Sequence, residues 1–487
     1  IGNVTMTATS GLLTVTEITS AAAMGTVALT ATAGGVKIDT GDIVAADATG
    51  ITANITASTF INVTGASGGA KADVTNSKGD IASTLSGAAA ATIDYTAGTV
   101  NTAASSGSVT LIASNTGGIV TTVTNNELVG GGASVVTLSA SSSSIVNSVT
   151  LLGYSATTNV TGSIGADTIV NSNGGNILST DSTNSNDTYA LSTGTDTLSY
   201  SGNTHGAGSG TSSAGATTNG YAMNFTSASI SFDNNSVSSA TNITTLAAGK
   251  IAQYDSTAVS STSTTAGNIV AGGETDNVSG VEVVIGSSLN DYIAVASGGM
   301  TITGGAGVDL ITLGTGVDKV IFLDATADVI TGYSASDLIT VADAGLAVAN
   351  GSTDGTLVAV SLADAATAGS ANDTVLNLTQ AIDAAAGTAV DTYQATPSTG
   401  NLSAMIAAIV ASTAAGEAFD GGLHAALDDA GDIAIFIVHS SNDTVAFLYT
   451  AGAGSGTANT ALEAPEVTVI GVFDSATTVT QADFTII

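Results

Sequence analysis

The chain has 487 residues, of which 59 are glycine, two are proline and none is cysteine or tryptophan. Five lysines and no arginine stand against 39 acidic residues, which gives a formal net charge of -34 at pH 7. Such a chain cannot neutralise phosphates, which excludes nucleic acid as a partner, and no apolar run reaches the about 18 residues of a membrane-spanning helix. The scarcity of bulky residues favours thin stacked layers over one large globular core.

Residues 1–160 consist of short segments in which apolar and polar residues alternate. These segments include residues 4–7, 13–16, 27–30, 36–38, 61–64, 93–96, 109–111, 135–138 and 149–151. Period-two alternation bounded by Gly, Ser, Asn and Asp is typical of β-strands. We predict a Gly/Thr-rich parallel β-solenoid body, because the turns are rich in glycine and lack hairpin dipeptides such as Asn-Gly. A chain of immunoglobulin-like sandwiches is the alternative.

Residues 161–200 contain a degenerate repeat with a period of nine. The block GSIGADTIV (162–170) has Asp167 two residues before an apolar residue, and Asn176 takes the place of the aspartate in the next block. Asp187 and Asp196 then return nine residues apart, after a short insertion. Four such steps in one phase are not expected by chance.

Residues 201–285 lose this phase. Residues 206–220 are low in complexity and predict a surface loop, while residues 221–225 and 230–232 alternate like strands. We predict an irregular β lobe here and assign no role to it.

Residues 286–345 carry the clearest repeat. Blocks of nine begin at residues 286, 295, 304, 313, 323 and 332, with a one-residue slip at Phe322. The block GGAGVDLIT (304–312) matches G-G-x-G-x-D-x-U-x, in which U is a large apolar residue, and this is the signature of a calcium-binding parallel β-helix. The apolar position is kept in every block, at Ile293, Ile302, Ile311, Val320, Ile330 and Ile339.

The residue types of this repeat suit Ca²⁺. Glycines permit a tight turn with uncovered carbonyls, an aspartate adds a carboxylate, and calcium takes roughly 6 to 8 oxygen ligands. With two turns per coil, blocks eighteen residues apart stack, so Asp291 lies beneath Asp309, whereas Met300 meets Asp318 and should leave a site missing. The predicted metal ligands are Asp291, Gly304, Gly305, Gly307, Asp309, Gly314, Gly316, Asp318, Asp328 and Asp337, and, in the degenerate tract, Gly162, Gly165, Asp167, Asp187 and Asp196.

Residues 346–487 predict a small mixed α/β cap that covers an open solenoid end. Residues 402–414 have apolar residues at helical spacing, and residues 423–430 predict a shorter helix. Strands are predicted at residues 433–439, 444–449 and 467–473, before the apolar tail at 483–487.

Residues 162–198 and 286–340 resemble the RTX repeats of proteins exported by the bacterial type I secretion route. Residues 278–295 and 327–341 are similar to segments that enter and leave such tracts, and DFTII (483–487) looks like the uncleaved export signal. The Ala/Thr/Gly/Val/Ser-rich body is most similar to S-layer proteins. The resemblance implies an all-β calcium β-roll in a protein secreted to the cell surface of a Gram-negative bacterium.

On this basis we predict a structural component of a bacterial surface layer that self-assembles outside the cell into a two-dimensional, calcium-dependent lattice. The alternative is a secreted RTX adhesin or a filament or matrix protein that binds a carbohydrate or protein partner. The expected partners are copies of the chain itself. Because the sequence begins at Ile1 without a signal peptide, we expect a missing N-terminal region that could bind cell-surface polysaccharide or lipopolysaccharide.

No catalytic pattern is convincing. The histidines, His205, His424 and His439, are scattered and no H-E-x-x-H motif exists, so a zinc protease site is absent. GASGG at residues 65–69 fits G-x-S-x-G around Ser67, but the following residues show no helical face, which that nucleophile turn requires. We interpret the match as chance and predict that the chain is not an enzyme.

Overall fold

The fold is that of a computed structural model of the chain. It describes residues 2–15, 18–20, 24–31, 36–38, 43–45, 50–57, 60–64, 72–76, 80–87, 92–102, 109–115, 121–125, 128–129, 134–140, 146–151, 158–162, 166–171, 175–179, 186–192, 194–203, 220–232, 245–255, 268–269, 273–324, 326–341, 358–361, 373–381, 384–395, 399–412, 433–439, 442–450, 467–476 and 479–486. Strands make up most of these residues, and helices are few. The chain divides into two compact units, Ile1–Ser209 with Gly272–Val283 and Gly210–Ala271 with Val284–Ile487.

Strands are numbered in chain order. The first 21 are β1 Gly2–Ala8, β2 Leu13–Val15, β3 Ile18–Ser20, β4 Met24–Ala31, β5 Val36–Ile38, β6 Ile43–Ala45, β7 Gly50–Ala57, β8 Phe60–Thr64, β9 Ala72–Asn76, β10 Asp80–Gly87, β11 Thr92–Thr102, β12 Val109–Asn115, β13 Thr121–Asn125, β14 Leu128–Val129, β15 Ser134–Ala140, β16 Val146–Leu151, β17 Thr158–Thr161, β18 Ala166–Asn171, β19 Gly175–Leu178, β20 Thr188–Leu191 and β21 Thr197–Ser199.

The later strands are β22 Gly220–Asn224, β23 Ile230–Ser231, β24 Thr245–Leu246, β25 Lys250–Asp255, β26 Asn268–Ile269, β27 Thr275–Ser279, β28 Val283–Ile285, β29 Tyr292–Ala294, β30 Thr301–Thr303, β31 Leu310–Thr312, β32 Lys319–Phe322, β33 Asp328–Thr331, β34 Leu338–Val341, β35 Val358–Ser361, β36 Asp373–Ala381, β37 Ile433–His439, β38 Thr444–Thr450, β39 Val467–Asp474 and β40 Phe484–Ile486. The helices are α1 Ala384–Ala395 and α2 Thr399–Ser412, and a 3-10 turn spans Gln481–Asp483.

The first unit is built from parallel strands that alternate between two sheets. One sheet follows the order β1-β4-β7-β10-β12-β15-β17-β19-β21. The other runs in parallel through β2, β5, β8, β11, β13, β16, β18, β20 and β27. Its register aligns one apolar residue per strand, namely Val15, Ile38, Val63, Tyr95, Val123, Val149, Ile169, Tyr189 and Val278. Val15, Ile169, Tyr189 and Val278 of this row are buried, which fixes the register at their strands, since a one-residue slip would turn them to the other face.

The second unit repeats this arrangement over the ninefold blocks. Strands β30, β32, β34 and β40 pair in parallel, and so do β22, β29, β31, β33 and β39. The apolar position that recurs in every block is buried, and Ile293, Ile302 and Ile311 are 0% exposed. Antiparallel pairs join β22 to β25, β25 to β26, β37 to β38 and β38 to β39.

Both helices lie in the second unit and pack on its sheet. In α1 the buried residues are Ala386, Val390 and Tyr393, and in α2 they are Met405 and Ile409, which is the spacing of one helix face. They join a core that includes Phe447 and Val472 of the neighbouring strands. Among the described residues, no helix is long and apolar enough to cross a membrane.

The structure confirms a strand-rich fold with parallel sheets. The strands predicted near residues 433–439, 444–449 and 467–473 are present as β37, β38 and β39. The helix predicted over 402–414 is α2, which begins three residues earlier. Helix α1 was not predicted, and the helix expected over 423–430 lies outside the described residues. The segment 201–285 is more regular than predicted at β22, which is paired in parallel with β29.

Substitution of Gly305 by alanine is expected to destabilise the second unit. Gly305 has φ +106°, and an added Cβ would lie 1.9 Å from the Ser287 carbonyl oxygen. Strain in this backbone region costs about 1–3 kcal/mol, and steric overlap adds to it. The midpoint of urea unfolding measures the effect.

Gly387→Ala is the matched control, because Gly387 lies inside α1 with no atom within 4 Å of the added Cβ. It is expected to stabilise the helix by about 0.5–1 kcal/mol. An unchanged urea midpoint for Gly305→Ala would contradict the tight turn.

Candidate metal centre

One edge of the repeat in the second unit carries a ladder of buried aspartates. The Asp291 amide donates to Oδ1 of Asp309 at 2.7 Å, and the Asp309 amide donates to Oδ1 of Asp328 at 3.0 Å. Asp291 is 1% exposed, Asp309 0% and Asp328 3%. The predicted stacking of Asp291 beneath Asp309 is therefore present, and the carboxylates of Asp309 and Asp328 each accept a backbone hydrogen bond from the preceding aspartate of the ladder.

The opposite edge has the same geometry. The Met300 amide donates to Oδ1 of Asp318 at 2.8 Å, and the Asp318 amide donates to Oδ1 of Asp337 at 2.9 Å. Met300 thus occupies an aspartate position in this ladder without supplying an oxygen. The spacing is 18 residues for the first step and 19 for the second, so the slip at Phe322 is absorbed between blocks.

The second carboxylate oxygen distinguishes Asp309 from the others. Oδ2 accepts a hydrogen bond from the residue's own turn in Asp291, Asp318 and Asp337, whose donors are the amides of Ser287 at 2.6 Å, Gly314 at 3.2 Å and Ser334 at 2.7 Å. Oδ2 of Asp309 is buried and has no hydrogen-bond partner. It points at Gly304, where an added Cβ would lie 2.0 Å from it. Asp309 therefore offers an oxygen that the protein itself does not satisfy.

Burial governs the acidity of this ladder. It raises the pKa of Asp291 to about 7, although hydrogen bonds from Ser287 and Tyr221 act in the opposite direction. Burial, followed by the charges of Asp328 and Asp291, raises the pKa of Asp309 well above its usual range. The folded chain therefore resists ionisation of these carboxyl groups, and a bound cation would lower the free-energy cost of their negative charge.

The ladder also exists in the first unit. The Asp167 amide donates to Oδ1 of Asp187 at 2.7 Å, and the Asp187 amide donates to Oδ1 of Asp276 at 2.7 Å. On the other edge the Asp196 amide donates to Oε2 of Glu282 at 2.9 Å. Asp276 and Glu282 were missed in the sequence, although Asp276-Asn277-Val278 and Glu282-Val283-Val284 keep the acid-x-apolar spacing.

The predicted glycine ligands are placed as turn residues. Gly304, Gly305, Gly307, Gly314 and Gly316 lie in the turns before β31 and β32, and three of them, Gly305, Gly307 and Gly316, have positive φ. Gly162 lies next to Asp167, whose Oδ2 would be 3.1 Å from an added Cβ. Gly165 lies outside the described residues.

Three carboxylates meet in the first unit. One oxygen from each of Asp187, Glu274 and Asp276 lies within 4.8 Å of the other two, and all three residues are buried. Oδ2 of Asp187 accepts a hydrogen bond from the Tyr189 hydroxyl at 2.7 Å, and Oδ2 of Asp276 accepts one from the Tyr200 hydroxyl. This buried acidic group could hold a metal ion.

Burial and neighbouring carboxylates raise the pKa values of Asp187 and Asp276 in this group. Burial and then the charges of Asp276 and Asp167 raise the pKa of Asp187 to about 9. Burial and then the charge of Glu274 raise the pKa of Asp276 well above its usual range. Like charges this close cannot all ionise at neutral pH unless a cation joins them.

Of the residues rejected for catalysis, the structure describes only His439. Ser67, His205 and His424 lie outside the described residues. Burial lowers the pKa of His439, whose Nδ1 lies 2.9 Å from the Thr444 hydroxyl oxygen. The absence of enzymatic activity stays a prediction.

Comparison of the sequence with protein-family models and with curated proteins finds no match.

Proposed function

We propose that the chain is a structural protein of a bacterial surface layer, secreted by an RTX-type route and stiffened by Ca²⁺ outside the cell. Its two units would form parallel β-solenoids whose turns hold the ions. The proposed partners are other copies of the chain, which assemble with it into a two-dimensional lattice.

The observation that carries the proposal is the unsatisfied Oδ2 of Asp309 within a ladder of buried carboxylates. An unpaired buried acceptor costs about 1–3 kcal/mol, and a charged one costs more. Calcium is a hard ion that takes carboxylate and carbonyl oxygens. Asp309 and Asp291, with carbonyls of the 304–307 turn, would hold it there.

The architecture supports a solenoid. In the first unit, nine strands of one sheet follow each other in parallel register with an apolar residue at the same position. Parallel neighbours require a crossover each time, and the strands of the other sheet fall between them in sequence. A chain that alternates regularly between two parallel sheets is the pattern of a coil.

The charge supports a location rich in divalent cations. At a formal net charge of -34, self-repulsion opposes the compact state and contact between copies. Ions that fill buried sites and bridge acidic surfaces reduce both effects. Extracellular calcium near millimolar concentration is sufficient for sites of ordinary affinity.

Electron microscopy of the purified full chain tests the proposal. Two-dimensional sheets are expected with millimolar calcium, and dispersed particles are expected after dialysis into metal-free buffer. Magnesium at equal concentration is the control, because it demands a tighter octahedral site. Filaments would favour the matrix-protein alternative, and assembly that is the same without calcium would contradict the proposal.

A further inference from the structure

One outer sheet face of the second unit carries exposed apolar side chains. Exposure alternates along β32 and the residues beside it. Asp318, Val320 and Phe322 are at most 1% exposed, whereas Val317 is 56% and Leu323 is 40% exposed. Because alternate residues of a strand point to opposite faces, Val317 and Leu323 point away from the core.

The neighbouring strand extends this apolar face. Leu338, the first residue of β34, pairs with Lys319 of β32 and is 47% exposed. Lys319 and Ile321 lie between the two exposed ends of the row and are half-buried. We call Val317, Lys319, Ile321, Leu323 and Leu338 the outer patch. It contains three of the four exposed large apolar residues in the described part of the chain.

The equivalent positions on the other sheet of this unit are covered. Val308 has the place in its block that Val317 has nine residues later, yet it is only 8% exposed. Val308 and Leu310 belong to a core that includes Val390 of α1 and Met405 of α2. The unit therefore covers the outer face of one sheet with its own helices, whereas the outer patch stays exposed.

We propose that the outer patch docks against an acidic surface of a second copy of this chain, in a head-to-tail contact. This inference rests on the proposed function, because it identifies a surface through which copies would meet in the assembly. A contiguous exposed apolar patch is a common mark of a protein–protein contact.

Charge indicates which kind of surface fits the outer patch. Five lysines and no arginine stand against 39 acidic residues, so the surface of another copy is negative on balance. Lys319 lies in the middle of the outer patch and is complementary to such a surface. Two outer patches that face each other would instead bring like charges together, which is unfavourable. A patch that meets a different surface makes a heterologous contact, which can repeat from copy to copy.

The size of the outer patch favours a repeated contact over a tight isolated dimer. Residues 317–323 extend over about 20 Å and two to three strands are about 10–14 Å wide, which gives roughly 200–300 Å². A stable pairwise interface buries about 800 Å² on each partner. A single contact of this size is therefore weak, and it becomes effective when many copies are held together, as in a lattice.

Sedimentation velocity of the full chain over a concentration series, with millimolar calcium, tests the inference. The triple variant Val317→Thr/Leu323→Thr/Leu338→Thr keeps the charge and suits a strand. It should raise the concentration needed for association about tenfold or more, because less apolar area is buried. Leu12→Thr is the matched control, since Leu12 is 51% exposed in the first unit, and it should associate like the wild type. Equal association of triple variant and wild type would overturn the inference and leave the proposed function intact.

Variants of Lys319 identify the kind of surface that the patch meets. Lys319→Gln should weaken association, and Lys319→Glu should weaken it further, because attraction to an acidic surface is first removed and then reversed. Stronger association of Lys319→Gln than of the wild type would show that outer patches face each other. That result would overturn the head-to-tail contact.

Single cysteines give a local readout, because the chain has none of its own. In dispersed protein, Leu323→Cys and Leu12→Cys should both react readily with a maleimide. Assembly should slow the reaction of Leu323→Cys about tenfold or more, since the thiol is taken out of solvent, and should leave Leu12→Cys unchanged. Equal rates for the two variants in assembled protein would overturn the inference.

The wild type separates this inference from the proposed function. Association that needs no calcium but still protects the cysteine at position 323 would support the inference and contradict the calcium-dependent lattice. A wild type that stays monomeric at every concentration, with and without calcium, would overturn both.

Discussion

Removal of calcium is expected to lower the thermal unfolding midpoint strongly at pH 8 and only slightly at pH 5. The pKa of Asp187 is about 9 and that of Asp291 about 7, both above the ordinary value of 3.8. Between 3.8 and these values, the metal-free folded chain holds protons that the unfolded chain has released. Its stability is therefore greatest in acid and falls as the pH rises from about 4 to 9.

Calcium reverses this loss because it takes the place of the protons. At a calcium concentration 100 times the dissociation constant, one site adds about 2.7 kcal/mol. For a domain of about 150–250 residues, each kcal/mol shifts the midpoint by about 2–4 °C, so we expect about 5–10 °C per occupied site at pH 8. Calorimetry of dialysed protein with and without calcium, at both pH values, measures the difference.

Sodium chloride of equal ionic strength is the control, because it screens the negative charge without binding the sites. Screening by salt is weaker for buried groups than for exposed ones. A calcium effect of the same size at pH 5 and pH 8 would show that the buried carboxylates are not the binding groups.

The substitution Asp309→Asn is expected to stabilise the chain when calcium is absent and to destabilise it when calcium is present. Asparagine keeps a carbonyl oxygen that can accept the Asp291 amide, now bonded to Asp309 Oδ1 at 2.7 Å. It replaces the unsatisfied, buried Oδ2 by a neutral amide. Without calcium at pH 8, the variant should unfold at a higher temperature than wild type. Burial raises the pKa of Asp309 well above its usual range, so folding of the wild type opposes the ionisation that the unfolded chain undergoes, whereas asparagine is neutral in both states. With calcium it should unfold lower, because a ligand is lost.

Two further variants make this test specific. Asp309→Ala also removes the acceptor of the Asp291 amide, so it should be less stable than Asp309→Asn by about 1–3 kcal/mol in both media. Asp474→Asn changes a half-buried aspartate at the end of β39, outside the ladders, and should have little effect in either. An Asp309→Asn midpoint that moves in the same direction in both media would contradict a metal role for Asp309.

The parts of the fold that were predictable from the sequence depend on local repetition. Alternating segments such as residues 27–30 and 135–138 form strands, because period two places one set of side chains on one sheet face. The ninefold phase also predicted the stacking of Asp291 beneath Asp309, since it follows from two turns per coil. These features need only neighbours in sequence.

The remainder depends on partners that lie far apart in the chain. Asp187 meets Asp276 across 89 residues, and a single acid-x-apolar step after such a gap is too weak a signal to identify its partner. The sequence also could not show that Oδ1 of each ladder aspartate accepts a backbone amide, which leaves Oδ2 as the oxygen that differs between sites. Helix α1 escaped prediction because only Val390 and Tyr393 are large among its described buried residues, and Ala386 is small.

The parallel register of the first unit has an energetic consequence. Most strands of each sheet touch only the strand before and the strand after, so stability is the sum of individual strands and nearest-neighbour contacts, as in a one-dimensional array. A destabilising substitution in one strand should then affect only the neighbouring strands. A segment can also be inserted between two paired strands without changing the pairing of the others. The departure of residues 210–271 between β20 and β27, whose pairing stays in register, shows such an insertion accommodated by the array.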